Sequence, residues 1–224
     1  MRVVDDLFAY VWRGRDNNCN SYVFARALAD GKHVLIDPGH VTTPALGEAG
    51  IARLAESMQD DGLDLKATGL VLLTHCHPDH CEAANSVRED SGALVAVHEA
   101  EVDLLRQGGC KVDLVLVEGD LKLGPAAELE LRILHVPGHS PGHIAIYWPR
   151  HKVLIAGDNV FFRSVGRVDL PGGDVRAMAR SLRRLSELDA DYVLCGHPYG
   201  HPGVIEGRAA VQENFESIQD MMGF

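Results

Sequence analysis

The segment Thr74-His75-Cys76-His77-Pro78-Asp79-His80 places three imidazoles and a carboxylate within six residues, directly after the apolar run Leu70-Val71-Leu72-Leu73. Imidazole and carboxylate are donors that zinc takes readily, so the chemistry implied is metal binding at a strand end. Side chains along a strand alternate faces at a rise of about 3.3 Å per residue, which lets His75 and His77 share one face. Pro78 stops the strand and suits the first position of a helix, from which Asp79 and His80 can approach the same pocket. A lone histidine is usually a hydrogen-bonded core residue or part of a solvated loop. Three with an aspartate at this spacing make a ligand set.

Three later residues repeat the arrangement of a polar side chain just beyond an apolar strand. His139 lies in His135-Val136-Pro137-Gly138-His139-Ser140-Pro141-Gly142-His143, Asp158 follows Val153-Leu154-Ile155-Ala156-Gly157, and His197 follows Tyr192-Val193-Leu194-Cys195-Gly196. Glycine precedes each, where a side chain would obstruct a turn or a close approach. The candidate ligands are therefore His75, His77, Asp79, His80, His139, Asp158 and His197. Seven donors exceed the four of a tetrahedral zinc and suit two ions that share a carboxylate and a water-derived oxygen. Residues from several strand ends must converge, which requires the whole domain.

Apolar periodicity outlines the elements that carry these residues. Strands are predicted at 8–12, 21–29 and 32–36, the last running into the turn sequence Asp37-Pro38-Gly39, which gives an antiparallel beginning. Pro44 opens a helical pattern in which Ile51, Leu54, Ala55 and Met58 share a face, ending near Gly62. A helix at 82–89, a strand at 93–97 and a short helix at 99–106 follow, stopped by Gly108-Gly109. Further strands are predicted at 114–117, 129–136, 143–148 and 152–156. The chain then closes with a helix marked by Met178, Leu182, Leu185 and Leu188, a strand at 192–194 and a helix at 204–222. Such interleaving indicates a mixed α/β domain with helix-covered sheets.

With 224 residues and no Pro/Gly/Ser-rich linker, a single domain over 1–224 is expected. The net charge of −11, from 21 basic and 32 acidic residues, repels a phosphate backbone and argues against nucleic acid as a partner. No apolar stretch approaches the roughly 20 residues that span a bilayer. The start, Met1-Arg2-Val3-Val4-Asp5-Asp6, puts acids where a signal peptide needs an apolar core, so a cytoplasmic protein acting on a small molecule is expected. Homo-oligomerisation is left open. The five cysteines form no C-x-x-C pair and read as reduced thiols; Cys76 and Cys81, beside the ligands, read as small buried apolar side chains.

The full ligand set resembles the metallo-β-lactamase superfamily, whose pattern is His-x-His-x-Asp-His, a single His, a bridging acid and a last His. The resemblance covers nearly the whole chain and implies a four-layer αββα sandwich with the metals at one edge of the sheets. It assigns His75, His77 and His139 to one metal and Asp79, His80 and His197 to the other, with Asp158 bridging. Most true β-lactamases carry cysteine at the bridging position, which disfavours antibiotic hydrolysis, and flavodiiron members need glutamate where His77 stands. The stretches 135–143 and 156–158 look most like the glyoxalase II branch, the hydroxyacylglutathione hydrolases. Two features depart from it. Few residues follow His197, so the helical C-terminal domain that supplies glutathione contacts is not expected, and the loop at 166–174 lacks the aromatic of many glyoxalase II loops. That loop looks more like the Gly-Arg-x-Asp loop of single-domain relatives and persulfide dioxygenases. Its Arg167 suits a bidentate grip on a substrate carboxylate, or an ion pair with Asp169 or Asp174.

The activity so implied is metal-dependent hydrolysis, with a thioester of the hydroxyacylglutathione type as the first substrate class. Two divalent ions, zinc first and iron or manganese as alternatives, hold a bridging hydroxide that is nucleophilic near neutral pH because metals lower the pKa of water to about 7. Asp79 orients that hydroxide and carries a proton toward the leaving group. The rivals are a mononuclear non-haem iron persulfide dioxygenase, with His75, His139 and Asp158 as a facial triad, then a lactonase. A metal-binding module without activity is the reading from another class. His143 is expected to hydrogen-bond inside the fold, His33, His98, His135 and His151 to be structural, and His40 or His201 at most to line the site.

Overall fold

The computed structural model describes residues 1–125, 128–199 and 203–223; His201 lies outside them. The chain divides into two compact units, Met1–Leu116 with Lys122–Leu129, and Val117–Leu121 with Glu130–Phe224.

The first unit is built on a seven-stranded sheet whose strands lie in sequence order, β1 (Arg2–Val4), β2 (Leu7–Tyr10), β3 (Ser21–Phe24), β4 (His33–Ile36), β5 (Thr68–Leu72), β6 (Leu94–His98) and β7 (Leu114–Leu116). Non-helical connections join β1 to β4, which pair antiparallel. From β4 onward the connections contain helices and the pairing becomes parallel, as crossover connections require. These helices are α1 (Gly50–Asp60) before β5, α2 (Pro78–Cys81) and α3 (Ala84–Ser91) before β6, and α4 (Val102–Gln107) before β7. The carboxyl ends of β4, β5 and β6 consequently share one edge, where loops of parallel sheets collect ligands. The segment before β3 reaches that edge too, since β3 runs against β4. Leu54 and Met58 of α1 pack in a core with Leu35, Val71, Val95 and Val97.

The second unit is built on a six-stranded sheet in the order β13-β12-β11-β10-β9-β8. Its strands are β8 (Gly119–Leu123), β9 (Leu129–His135), β10 (Ile144–Trp148), β11 (Val153–Gly157), β12 (Tyr192–Cys195) and β13 (Val204–Glu206). β9, β10 and β11 pair antiparallel, and α5 (Val175–Ser186) crosses over to make β12 parallel to β11. β9, β11 and β12 therefore end at one edge. Asp174 caps α5 by accepting the N–H groups of Arg176 and Ala177, and Met178, Leu182 and Leu185 enter a core with Leu154, Ala156 and Val193. The last helix, α6 (Arg208–Met222), adds Phe215 and Ile218 to it. Both units have the α/β character expected.

Several boundaries differ from the sequence reading. The first helix starts at Gly50 and not at Pro44, because the N–H groups of Ala45 and Leu46 are taken by the Asp16 carboxylate. The strand expected at 21–29 stops at Phe24, ahead of Arg26, whose φ of 53° leaves the extended region. Residues 204–206 form β13 against β12 before Gly207, at φ 95°, turns the chain into α6. β5 ends at Leu72, so His75 and His77 lie beyond the strand and do not meet through strand alternation.

Candidate functional site

In the first unit the segment after β5 carries four of the expected ligands. The His75 ring centroid lies 4.6 Å from that of His77 and 4.2 Å from that of His80. Pro78 takes the first turn of α2 and brings Asp79 and His80 round, as its fixed φ allows. The rings are oriented by Asp37, which follows β4 and is buried. Its carboxylate accepts the Thr74 backbone N–H at 2.8 Å, the Thr74 hydroxyl at 2.6 Å and Nδ1–H of His80 at 2.8 Å.

These bonds settle the tautomers. The single Thr74 hydroxyl hydrogen goes to Asp37, so Thr74 Oγ1, 3.0 Å from His75 Nδ1, accepts from that ring. Both imidazoles thus carry the proton on Nδ1 and leave Nε2 with a lone pair that could bind an ion, as outer carboxylates and hydroxyls arrange in metal-binding histidines. Further tethers hold the segment. Glu101, wholly buried, accepts the Cys76 N–H at 3.1 Å, and Asn17 Nδ2 donates to Asp79 Oδ2 at 2.6 Å.

In the second unit His139, Asp158 and His197 come together. Nε2 of His139 and Nε2 of His197 lie 3.4 and 3.5 Å from the same oxygen, Asp158 Oδ2. Those separations exceed the 2.7–3.2 Å of an ordinary N–H···O bond and suit donors that share a cation. His139 Nδ1–H donates to the Arg167 carbonyl at 2.6 Å, which again leaves the lone pair on Nε2. His143 Nε2 accepts the Asp158 N–H at 3.0 Å, the internal structural role expected of it. Glycine is required twice. A Cβ on Gly196 would stand 2.0 Å from Asp158 Oδ1, and one on Gly166 2.8 Å from His139 Nδ1.

The donor chemistry fits a divalent ion: imidazole nitrogens and carboxylate oxygens, buried, with ring orientation imposed from outside. Among the described residues no thiol joins the groups of imidazoles and carboxylates that could hold an ion. Burial pushes the Cys76 and Cys81 thiols well above their usual range, and burial with the Asp158 charge pushes Cys195 up to about 12. Cys81 lies in the first unit's core and Cys76 packs against it, in keeping with the apolar reading.

Arg167 forms a bidentate pair with Asp169, with both N···O distances 2.9 Å and both side chains largely exposed. His40 pairs with Glu82 through Nδ1, His98 accepts the Ala100 N–H, His135 meets the Pro141 carbonyl and His151 packs on Trp148. Asp37, Glu101 and Asn17 were missed by sequence reasoning. Asp37 alone carried a usable signal, a carboxylate directly after an apolar strand, which its turn sequence disguised.

Fold and clusters together define an α/β metalloprotein. The chain belongs to the metallo-beta-lactamase superfamily, which it matches over residues 14–197. It is 35% identical over 174 residues to a hydroxyacylglutathione hydrolase of Cereibacter sphaeroides, covering 77% of this chain and 64% of that one. It thus spans just under two thirds of that relative's length. It is 31% identical over 199 residues to a probable metallo-hydrolase of Methanocaldococcus jannaschii, covering 82% of this chain and 89% of the relative. Among solved structures, TTHA1623 in a di-iron-bound form is 33% identical at a TM-score of 0.66, covering 85% of this chain and 91% of that one. Among the described residues no helix is long and apolar enough to cross a membrane.

Proposed function

We propose that the chain is one metallo-β-lactamase-like domain over 1–224 that binds two divalent ions, zinc first. His75, His77 and His139 hold one, Asp79, His80 and His197 the other, and Asp158 bridges. The observation that supports this reading is that Nε2 of His139 and Nε2 of His197 lie 3.4 and 3.5 Å from one Asp158 oxygen. Ions held there supply Lewis acidity and an activated water.

The reaction is hydrolysis of a small thioester of the hydroxyacylglutathione type, the substrate class in the name of the Cereibacter relatives. Asp79 orients the attacking water and passes a proton to the departing thiolate. Arg167 exchanges Asp169 for a substrate carboxylate, an exchange that costs little because an exposed ion pair is weak. The site works in the cytoplasm. Metal content of protein from unsupplemented cells, with rates on S-lactoylglutathione, a lactone and glutathione persulfide, tests the reading. Two metal equivalents with thioester turnover support it. One iron per chain with oxygen consumed on the persulfide overturns it in favour of a dioxygenase.

A further inference from the structure

The segment between β2 and β3 is held in a way its own sequence does not demand. Two carboxylates each accept two backbone N–H groups. Glu48 Oε2 takes those of Arg15 and Asp16, both at 2.8 Å. Asp16 Oδ2 takes those of Ala45 and Leu46, at 2.8 and 2.7 Å. Asp16 Oδ1 also accepts the N–H of Asn17 at 2.9 Å, and the Trp12 indole donates to the Asp16 carbonyl at 2.7 Å. Arg53 pairs with Glu48 at 3.1 Å and lies over the Trp12 ring at 5.2 Å. These backbone donors hold the Asp16 carboxyl down to about 2. Two stretches of irregular chain, 12–17 and 43–48, are thereby locked to each other.

What this lock presents is Asn17. Its amide Nδ2 reaches Asp79 Oδ2 at 2.6 Å, and the neighbouring backbone makes a second contact, Cys19 N–H to the Asp79 carbonyl at 3.2 Å. Asn18 continues the anchoring by accepting the His40 N–H at 2.8 Å. An exposed amide on a flexible loop would lose most of such a bond to water and to conformational entropy. On a loop clamped by two carboxylates that entropy is already spent.

We infer that Asn17 is a positioning residue for Asp79, and that the Asp16–Glu48 clamp exists to hold it. A donor fixed on one carboxylate oxygen restricts rotation of Asp79, the preorganisation that outer donors confer on a metal ligand. The inference rests on Asp79 binding a metal. The role is local, so it falls on the ion that Asp79 holds and spares the other.

The test is zinc titration of the metal-stripped full chain against a chromophoric chelator, for wild type, Asn17→Ala, Asp16→Ala and Arg88→Ala. Arg88 pairs with Asp113 away from the cluster and serves as the control. In Asn17→Ala one zinc equivalent weakens about tenfold to a hundredfold while the other holds, with the thermal midpoint unchanged. Asp16→Ala weakens the same equivalent, and Arg88→Ala neither. On a hydrolysed thioester, Asn17→Ala lowers kcat with KM held. Unchanged affinity for both equivalents in Asn17→Ala overturns the inference, as does equal weakening of both with a fall in midpoint. Wild-type protein that takes up no zinc overturns the metal centre itself, and this role with it.

Discussion

Asp37 accepts a hydrogen bond from Nδ1 of His80 at 2.8 Å, in a position where neither group is exposed to solvent. Asp37 is also one of the few non-glycine residues at positive φ, 52°, a conformation that aspartate tolerates better than most. The carboxylate thus sits at a turn after β4 and aligns a ring delivered by α2, with Thr74 filling its other acceptor positions.

Asp37→Asn should therefore weaken metal binding by about tenfold to a hundredfold, because an amide cannot accept all three donors and releases the His80 tautomer. Metal content after gel filtration and competition against a chelator read this directly. Retention of both equivalents at wild-type affinity would contradict it.

Gly196→Ala places a methyl within 2.0 Å of Asp158 Oδ1. Overpacking of this kind costs about 1–3 kcal/mol and moves the carboxylate. The expected result is a folded protein, lower in urea midpoint, that has lost most of its bound metal and hydrolytic rate. Wild-type metal content in the alanine variant would show that Asp158 need not stay where it is.

Arg167→Ala should leave the thermal midpoint where it is, since the ion pair it loses is exposed. For a thioester bearing a carboxylate KM should rise about tenfold or more with kcat little changed, and for an uncharged thioester neither should move. A fall in kcat alone would give the residue a different role.

His33, at the start of β4, supplies a pH dependence apart from the candidate ligands. Its Nδ1 accepts the Arg26 N–H at 3.0 Å, and burial, with the Arg26 charge adding, holds its pKa below the ordinary value. The unfolded chain then binds the proton more readily than the folded one. The stability from neutral His33 is complete above about pH 6.5 and is lost as pH falls below it. Urea midpoints from about pH 7.5 down to about pH 5 should fall less in His33→Gln than in wild type. Parallel profiles would contradict this.

Met58→Ala removes a fully buried side chain from the face of α1 and should cost about 2–5 kcal/mol in urea unfolding while leaving the zinc affinities unchanged. A matching loss of metal would mean that α1 positions the ligands directly.

The chain by itself determined the types and order of the candidate ligands. Imidazoles and carboxylates beside apolar runs are local features, so His75 to His80, His139, Asp158 and His197 could be named from spacing, as could most strands, β3, β4 and β11 among them with wholly buried apolar runs. Tertiary structure decided what depends on partners distant in sequence. Asp37, though its place after an apolar strand is visible, meets Thr74 and His80 only once β4 and β5 lie parallel, Asn17 is recognisable only once Asp16 and Glu48 clamp two loops, and Glu101 only once the segment after β6 reaches Cys76. The same holds for Val204–Glu206, which local periodicity assigns to a helix and which pairing with β12 makes a strand. Hydrogen bonds across long sequence separations leave no trace in local pattern. The candidate ligands could therefore be read from the chain, and the groups that orient them could not.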